Sequence, residues 1–391
     1  MSQRNDPLSR LADLAGKAPS RAPNVRTLAR YAANSHCTMA SVGFAARVDF
    51  DRLLVGTRYE VPFGQSPFAF RRGNLFEDLL RRDGHAPIKE LLGRGLGYDA
   101  SKARVVNLRE GAEKTRVGMA KRAVATGELV DKVLGGAADA PNLIDGAVMA
   151  KEVGGVMAYF EADAVAAQFD SPIQAGEIKS FPTVDGQADA DKVGAAISQV
   201  AIYILLLRDV VVGLGGDPDS VASKALLITP KNTGLQPTMT VKDVGREVDR
   251  AARILAQAPS AGEIVDSLPA SLPSFEAVAS KALGEPERLD AVEQLVESVG
   301  TSYGPACLSS CGLSRLCRQR AHRSGDPARV GGQLVRLLPG ISSLDRAAAL
   351  AAGGRASADE QPVADELRRA SDLLDAVGSP PPAASRKGRA R

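Results

Sequence analysis

Three charged residues in one short stretch could do chemistry together: Asp163, Glu177 and Lys179. Between them, two short apolar runs flank a turn signal at Asp170-Ser-Pro172, a pattern typical of a β-hairpin. Because side chains alternate along a strand, Glu177 and Lys179 lie on the same face, and a hairpin register can bring Asp163 opposite them. Two carboxylates and an ammonium at a sheet edge form a divalent-metal site with a neighbouring cation, which suits phosphodiester hydrolysis.

The elements that must position these residues can be predicted from the apolar periodicity. Strands are predicted at 104–108, 142–149, 155–168, 173–181, 222–229 and 238–241. Helices are predicted at 25–34, 72–82, 112–134, 189–212, 244–257, 274–282 and 288–299. In the second of these helices, Leu75, Leu79 and Leu80 are expected to point inward. The order helix, antiparallel strands, helix and strand favours an α/β sandwich around a mixed sheet.

Composition changes along the chain and predicts four segments. These are an N-terminal arm and helix at 1–36, a main domain at 37–324, a helical extension at 325–378 and a disordered basic tail at 379–391. The tail is predicted from its run of Pro, Ala, Ser, Lys and Arg, which cannot bury enough apolar surface to fold.

The overall composition is that of a soluble globular protein, with 44% hydrophobic and 24% charged residues. A net charge of +3 is too small to argue for nucleic-acid binding by itself. Two local basic clusters could follow a phosphate backbone, or could be solvated helix faces. They are Lys102, Arg104, Arg109, Lys114, Arg116, Lys121 and Arg122, and Arg315, Arg318, Arg320, Arg323 and Arg329.

The sequence indicates a cytoplasmic protein without a membrane partner. The first six residues carry no apolar secretory segment, and the apolar run Val200–Leu207 is too short to span a bilayer. In that compartment cysteines stay reduced and tend to be ligands or nucleophiles. His85 and His322 have no carboxylate or cysteine at a telling spacing and are expected at the surface.

Further residues accompany the hairpin in a characteristic order. Glu77 lies on the predicted helix 72–82, and Gln199 and Tyr203, four residues apart, share a face of the helix 189–212. The order of a helical acid, Asp, Glu-x-Lys and Gln-x-x-x-Tyr resembles the PD-(D/E)xK nuclease superfamily, and within it the RecB-like branch. The resemblance implies a restriction-endonuclease-like mixed sheet flanked by helices.

The resemblance also implies roles for the individual residues. Glu77, Asp163 and Glu177, with the carbonyl of Ile178, would hold Mg²⁺ or Mn²⁺ through hard oxygen ligands. Lys179 would orient or deprotonate the attacking water and offset the charge that grows on the phosphate. Many RecB-like nucleases have histidine where this chain has Glu77, but a carboxylate there remains a suitable ligand for Mg²⁺.

The remaining assignments leave alternatives open. Gln199 and Tyr203 would contact the nucleic-acid strand near the metal, or they could be ordinary residues at the edge of the core. Asp163 has rivals in Asp145 and in Glu161, which shares its strand face and could be the true ligand.

The four cysteines form a second pattern. Cys37 precedes the first motif, and Cys307, Cys311 and Cys317 cluster after the last one. This arrangement resembles the 4Fe–4S staple of certain RecB-like nucleases, which include the AddB nuclease domain and CRISPR-associated spacer-processing exonucleases. Four thiolates are the usual complement of such a cluster. The first gap of the triplet has three residues where the family has two, and a structural Zn²⁺ site of four cysteines is the main alternative.

The resemblance as a whole implies a Mg²⁺- or Mn²⁺-dependent deoxyribonuclease that acts at single-stranded ends or flaps. Its expected partners are single-stranded DNA and the proteins of a complex for DNA repair, recombination or anti-phage defence. One alternative is an inactive nucleic-acid-binding adaptor with the same fold, and another is a CRISPR spacer-processing exonuclease. The sequence shows no nucleotide-binding loop of the P-loop type, so a nucleotide-hydrolysing motor is not expected.

Overall fold

The computed structural model describes residues 6–34, 36–61, 67–97, 99–113, 115–153, 156–168, 171–232, 234–304, 306–330 and 332–378. The predicted basic tail at 379–391 therefore lies outside the described residues, as do the first five residues of the predicted arm. The chain divides into two units between Gly300 and Thr301.

Within the described residues, a sheet of six strands forms the first unit together with eleven helices. The strands are β1 (Val105–Asn107), β2 (Leu143–Val153), β3 (Val156–Gln168), β4 (Ser171–Ile178), β5 (Val221–Pro230) and β6 (Pro237–Asp243). The helices are α1 (Pro7–Ala15), α2 (Val25–Ala33), α3 (Thr38–Ala45), α4 (Phe50–Leu53), α5 (Pro67–Leu96), α6 (Arg116–Leu134), α7 (Ala190–Gly213), α8 (Gly245–Ala256), α9 (Ala261–Asp266), α10 (Phe275–Ala279) and α11 (Glu285–Val299).

The sheet is mixed, as predicted, and its strands follow one another in chain order from β1 to β6. The pairs β1–β2 and β4–β5 are parallel, and the other three pairs are antiparallel. A parallel neighbour requires a crossover, and in both cases a helix supplies it: α6 connects β1 to β2, and α7 connects β4 to β5.

Helices cover the sheet on both faces. One apolar cluster joins the inner faces of α2, α6, α7 and α8 to side chains of the sheet that include Ile144, Val165 and Ala175. A second cluster joins α5 to the opposite face through Leu143, Ala164 and Ile228 among others. The resulting three layers place α5 and α7 on opposite sides of β4, where the Glu-x-Lys motif begins.

Helix α7 is the most apolar element and confirms the prediction of a buried helix at 189–212. It begins after Asp189, whose side chain accepts a hydrogen bond from the backbone of Lys192 and so caps the first turn. By length and composition alone this helix could cross a membrane, but 56% of its most apolar window is buried inside the protein. Its packing is that of a core helix.

Helix α5 differs from the prediction for 72–82. It is longer, and a kink with non-helical backbone at Arg82–His85 divides it into two halves. Phe76 and Leu80 are the buried residues of the first half, whereas Leu75, which was expected to point inward, is 52% exposed. The prediction for Leu75 is wrong because the buried stripe is centred on Phe76, which lies about 100° further round the helix.

The side chains of β2 interrupt their regular alternation between the two faces of the sheet at Gly146, which has a φ of +72°. Ile144 before it and Ala147 and Met149 after it belong to the same apolar cluster, so the alternation of side chains shifts by one residue between them. The paired strand β3 shows the same shift near Asp163. A left-handed residue in the middle of β2 therefore sets which way the charged side chains of both strands point.

The second unit is helical in its described part. Its helices are α12 (Ala306–Ser310), α13 (Ser314–Ser324), α14 (Gly332–Leu337), α15 (Leu344–Ala351) and α16 (Gln361–Gly378). Leu350 of α15 and Ala364 of α16 are fully buried in a small apolar cluster of their own.

Candidate active site

The end of β4 brings Glu177 and Lys179 to the same edge of the sheet. The parallel pairing of β4 with β5 continues to Ile178, and the backbone N–H of Lys179 donates to the carbonyl of Ile228 at 2.9 Å. The ammonium of Lys179 donates to Oε1 of Glu177 and, at 3.2 Å, to Oε1 of Gln199 on α7. The predicted shared face of the Glu-x-Lys motif is thus present, and α7 supports it from one side.

Glu177 is a buried carboxylate whose two oxygens have different surroundings. Its side chain is almost fully buried, and Oε2 has no hydrogen-bond partner among the described residues. Burial raises the pKa of Glu177 to about 7; the negative charge of Asp163 adds to this effect, and Lys179 opposes it. A buried acid with one open oxygen can accept a cation or a proton at that position.

Asp163 is the carboxylate that lies beside Glu177. Ala164 pairs with Gly176 across the antiparallel β3–β4 ladder, so Asp163 and Glu177 follow directly at the end of the paired segment. Oδ2 of Asp163 accepts a hydrogen bond from the backbone of Ile178 at 3.0 Å. The hairpin register thus places Asp163 across from the Glu-x-Lys motif, as the sequence pattern predicts.

Arg109 connects Asp163 to the two carboxylates that the sequence left as its rivals. It donates to Asp163 at 3.0 Å, to Asp145 at 2.7 Å and to Glu161 at 2.5 Å. Arg122 binds the other oxygen of Glu161 at 2.8 Å. Both oxygens of Glu161 are therefore paired with guanidinium groups, whereas Oδ2 of Asp163 is bound to the backbone of β4.

The positions of Arg109 and Arg122 depend on Gly146. A Cβ atom at residue 146 would lie 2.5 Å from Cγ of Arg109 and 2.6 Å from Nη2 of Arg122. The carbonyl of Gly146 also accepts a hydrogen bond from Arg122 at 2.5 Å. The same glycine that shifts the side-chain alternation of β2 thus leaves room for the two arginines.

Asp145 is buried at the centre of this charged network. Its oxygens accept hydrogen bonds from Arg109, from Arg81 at 2.8 Å and from Nε2 of His85 at 2.8 Å. Burial disfavours the charged form of Asp145, but Arg109 and Arg81 outweigh that effect and hold its pKa below the usual range. The prediction that His85 lies at the surface is wrong, because the left-handed kink of α5 turns this side chain toward Asp145. His322 is exposed, as predicted.

Glu77 joins the charged network through Arg81. Its Oε2 accepts a hydrogen bond from Arg81, four residues further along α5, at 2.8 Å. Its side chain is 42% exposed. Glu77 is thus connected to Asp163 by way of Arg81, Asp145 and Arg109 rather than directly.

Gln199 and Tyr203 lie on the buried face of α7 rather than on an open surface. Gln199 accepts the hydrogen bond from Lys179 and so fixes the direction of the ammonium. Burial raises the pKa of Tyr203 well above its usual value, and the charge of Glu177 adds to the shift. The contact found for Gln199 is to Lys179, and contact of either residue with nucleic acid stays a prediction.

The residues of the first basic cluster, which the sequence groups at 102–122, have two kinds of surroundings in the structure. Lys102, Arg104, Arg116 and Lys121 are exposed, whereas the guanidinium groups of Arg109 and Arg122 bind carboxylates of β2 and β3. Lys114 lies outside the described residues. The role of these two arginines was missed because the sequence around a basic residue does not indicate whether its side chain faces solvent or a carboxylate.

The predicted cysteine-ligated cluster is not shown by the structure. All four cysteines lie within the described residues and none forms a disulfide. Cys307, Cys311 and Cys317 belong to the second unit, where Cys307 and Cys317 are buried and the backbone N–H of Cys311 donates to the carbonyl of Cys307. Among the described residues, no three or more Cys, His, Asp or Glu side chains are grouped as metal ligands.

Comparisons with known proteins are sparse. No family model and no curated protein matches this chain. Among solved structures, similarity is found to a candidate exonuclease from Eubacterium rectale, with 11% identity over 68% of this chain and 86% of that chain and a TM-score of 0.27. The protein SSO0001 is similar with 15% identity over 44% of this chain and 86% of that chain, at a TM-score of 0.17. At these TM-scores, neither likeness bears on the function of the chain.

Proposed function

We propose that the first unit is a metal-dependent nuclease that hydrolyses phosphodiester bonds in DNA. The observation that carries this proposal is the buried carboxylate of Glu177. One of its oxygens is bound to Lys179, and the other has no partner among the described residues although Asp163 lies beside it. Leaving a carboxylate oxygen buried without a partner is costly, so a cation is expected to bind there.

The residues present fit Mg²⁺ or Mn²⁺. Asp163, Glu177 and the carbonyl of Ile178 would supply the hard oxygen ligands that these ions prefer. Glu77 would complete the set, since its side chain is exposed enough to move away from Arg81. Asp163 is preferred over Glu161 because both oxygens of Glu161 are paired with arginines. When bound, the ion would polarise the phosphate and lower the pKa of an attacking water.

Lys179 would carry the electrostatic part of the mechanism. Its ammonium is held between Glu177 and Gln199, so its direction is fixed before the substrate binds. A cation oriented in advance stabilises the charge that develops on a phosphate without reorganising during the reaction. Gln199 would act as a positioning residue, and Tyr203 would border the site from the same face of α7.

The substrate we propose is a single-stranded DNA end or flap, met in repair, recombination or anti-phage defence. A spacer-processing exonuclease would use the same chemistry with other partners. The proposal includes a 4Fe–4S cluster at Cys37, Cys307, Cys311 and Cys317, with Zn²⁺ as the alternative. No catalytic step depends on that cluster.

The test is cleavage of end-labelled single-stranded and flap DNA in the presence of Mg²⁺ or Mn²⁺. We expect Lys179→Ala to lower the rate at least ~100-fold, the size of effect found when one oriented electrostatic group is removed. Glu177→Ala should abolish cleavage. Lys242→Ala, at an exposed lysine of β6, is the matched control and should cleave like the wild type. Wild-type protein that cleaves none of these substrates would refute the proposal.

A second candidate function is a nucleic-acid-binding adaptor that does not cleave. It is favoured by the two arginines that occupy the carboxylates, since Asp163 is bound to Arg109 and Glu77 to Arg81. Calorimetry with Mn²⁺ distinguishes the two functions. An active site should bind the ion, and Asp163→Asn should weaken that binding, whereas an adaptor with a closed network should show no binding heat.

A further inference from the structure

Two exposed phenylalanines begin α5, and they lie on different flanks of the helix. Phe68 is 76% exposed and Phe70 is 61% exposed. Because residues of an α-helix advance by about 100°, side chains two positions apart point in nearly opposite directions. A single exposed aromatic is ordinary on a protein surface, so the neighbours of each phenylalanine decide what it can do.

Phe70 shares its flank with the charged residues of the candidate active site. Asn74, Glu77 and Arg81 follow it at four, seven and eleven positions, which places all four side chains in one row along the helix. Arg81 at the end of that row binds Asp145, and Glu77 binds Arg81. The row therefore runs from the site to Phe70.

Phe68 belongs to the other flank, which points away from the charged network. Leu75 and Leu79 follow it at seven and eleven positions. Leu79 lines a hollow of about 500 Å³ with Gln236 and Pro237 of the β5–β6 edge. This flank also carries Arg71, three positions after Phe68, and it includes no member of the network around Asp145.

The start of α5 is held firmly against the chain that follows Lys179. Arg72 donates from Nε to the carbonyl of Ser180 at 3.3 Å and from Nη2 to the carbonyl of Gly234 at 2.9 Å. Residues 67–76 contain two arginines and no acidic residue, and Arg71 is exposed. Arg72 thus anchors the helix turn that carries Phe70, and Arg71 adds one exposed cation to the same turn.

We infer that Phe70 and Asn74 form a platform for single-stranded nucleic acid on the approach to the candidate active site. A base would stack on the ring of Phe70, the amide of Asn74 would bond to a base edge, and Arg71 would face a phosphate. Aromatic rings next to cations suit a single strand, whose bases are free to stack, better than a duplex. The inference rests on the proposed function and deepens it, because it assigns residues outside the charged network that would hold the strand.

The geometry also sets a length for the substrate. Seven residues of α-helix separate Phe70 from Glu77, a distance of about 10 Å, or about three stacked nucleotides at ~3.4 Å each. A dinucleotide at Glu77 is too short to reach Phe70. Only longer strands should therefore depend on this residue.

The experiment measures fluorescence anisotropy of labelled oligothymidylate with twelve nucleotides, in EDTA, with Lys179→Ala protein so that nothing is cut. We expect Phe70→Ala to weaken binding ~10-fold and Phe70→Trp to restore it, because tryptophan also stacks on bases. Phe68→Ala is the matched control, equal in type and more exposed, and should stay within about twofold of its parent. Binding of dithymidylate should be the same with and without the Phe70 ring.

Several outcomes would overturn the inference. These are equal effects of the two phenylalanine variants, no effect of either, no binding of single strands at all, or stronger binding of duplex. A change in oligomeric state on loss of Phe70, with DNA binding intact, would assign the ring to a second copy of the chain instead. If wild-type protein cleaves DNA while Phe70→Ala binds normally, only the platform fails. If Phe70→Ala loses binding but wild-type protein never cleaves, only the proposed nuclease activity fails.

Discussion

The carboxyl group of Glu177 lies beside a cation and a second carboxylate, and burial decides its charge. Lys179 bonds to one of its oxygens and favours the ionised form, while desolvation and Asp163 favour the protonated form. The second pair of effects is larger, so the pKa is about 7. In an unfolded chain the ordinary value of 4.5 applies. Between these two values the folded protein binds more protons than the unfolded chain.

This difference predicts how stability depends on pH. The contribution of Glu177 to the free energy of unfolding of metal-free wild-type protein should fall as the pH rises from 4.5 to 7, because the folded state holds a proton that the unfolded state has released. The full loss is about 3 kcal/mol. Glu177→Gln removes this titration, so the variant should be more stable than the wild type at pH above 7. Its advantage should shrink toward acidic pH in urea denaturation with EDTA.

Glu161 provides a control, because its contribution to stability should change with pH in the opposite direction. Burial disfavours its charged form, but Arg109 and Arg122 outweigh that effect and hold its pKa below the usual value. It therefore stabilises the protein above its unfolded pKa and loses that contribution as the pH falls. Glu161→Gln should be less stable than the wild type at neutral pH. If Glu177→Gln were no more stable than the wild type above pH 7, Lys179 would offset the effect of burial and the pKa of Glu177 would not be raised.

At the residue scale, the sequence pattern predicted that charged side chains of one hairpin lie together, near a polar residue of the helix that follows. Asp163, Glu177 and Lys179 are close in the chain, and Gln199 reaches Lys179 from the helix that follows. The partners of the carboxylates were not predictable, because Arg109 comes from a loop after β1 and Arg81 from α5. A guanidinium can bind a carboxylate at almost any sequence separation, so only the tertiary fold assigns it.

At the scale of the elements, strand β2 contains a position, residue 146, that glycine fits and a larger residue does not. Gly146 has a φ of +72°, and a Cβ atom would meet both Arg109 and Arg122 at less than 3 Å. At residue 146, the positive φ angle would cost alanine about 1–2 kcal/mol of conformational energy. The Cβ atom of alanine would also displace the two arginines. The displaced arginines would leave Glu161 without both of its cations and Asp145 without one of its two arginine partners.

We expect Gly146→Ala to lower the melting temperature and to reduce DNA cleavage at the same time. Gly127→Ala is the matched control, because Gly127 lies within α6 and a Cβ there meets nothing within 4 Å. Alanine is the better helix former by about 0.5–1 kcal/mol, so this control should melt slightly higher. Differential scanning fluorimetry and the labelled-DNA assay measure the two effects. Normal melting and cleavage by Gly146→Ala would show that β2 tolerates a side chain there.

The elements that periodicity predicted well are those that bury a continuous apolar stripe. Helix α7 and strands β3 and β5 agree with their predicted ranges to within a few residues at each end. The kink of α5 was not predicted. Asp83 and His85 adopt positive φ angles there, and His85 is held by its contact with Asp145. Short helices such as α4 and α9 carry too few turns for a pattern to appear.

At the scale of the whole molecule, the four cysteines are distributed over both units of the chain. Cys37 belongs to the first unit, and Cys307, Cys311 and Cys317 belong to the second. A 4Fe–4S cluster with all four thiolates would make one cofactor depend on both units. Substitution of a single cysteine in either unit should then have the same consequence.

We expect anaerobically purified protein to show a broad absorption shoulder at about 400 nm, as thiolate-ligated iron–sulfur centres do. Serine at Cys37 should remove the shoulder as completely as serine at Cys317, because each would take away one of four ligands. Ser302→Ala leaves all thiols in place and should retain the absorption. Zinc without iron in elemental analysis would instead support a tetrahedral thiolate site. Loss of colour from the triplet alone, with Cys37→Ser unchanged, would confine the cofactor to the second unit and exclude a staple that closes the nuclease domain.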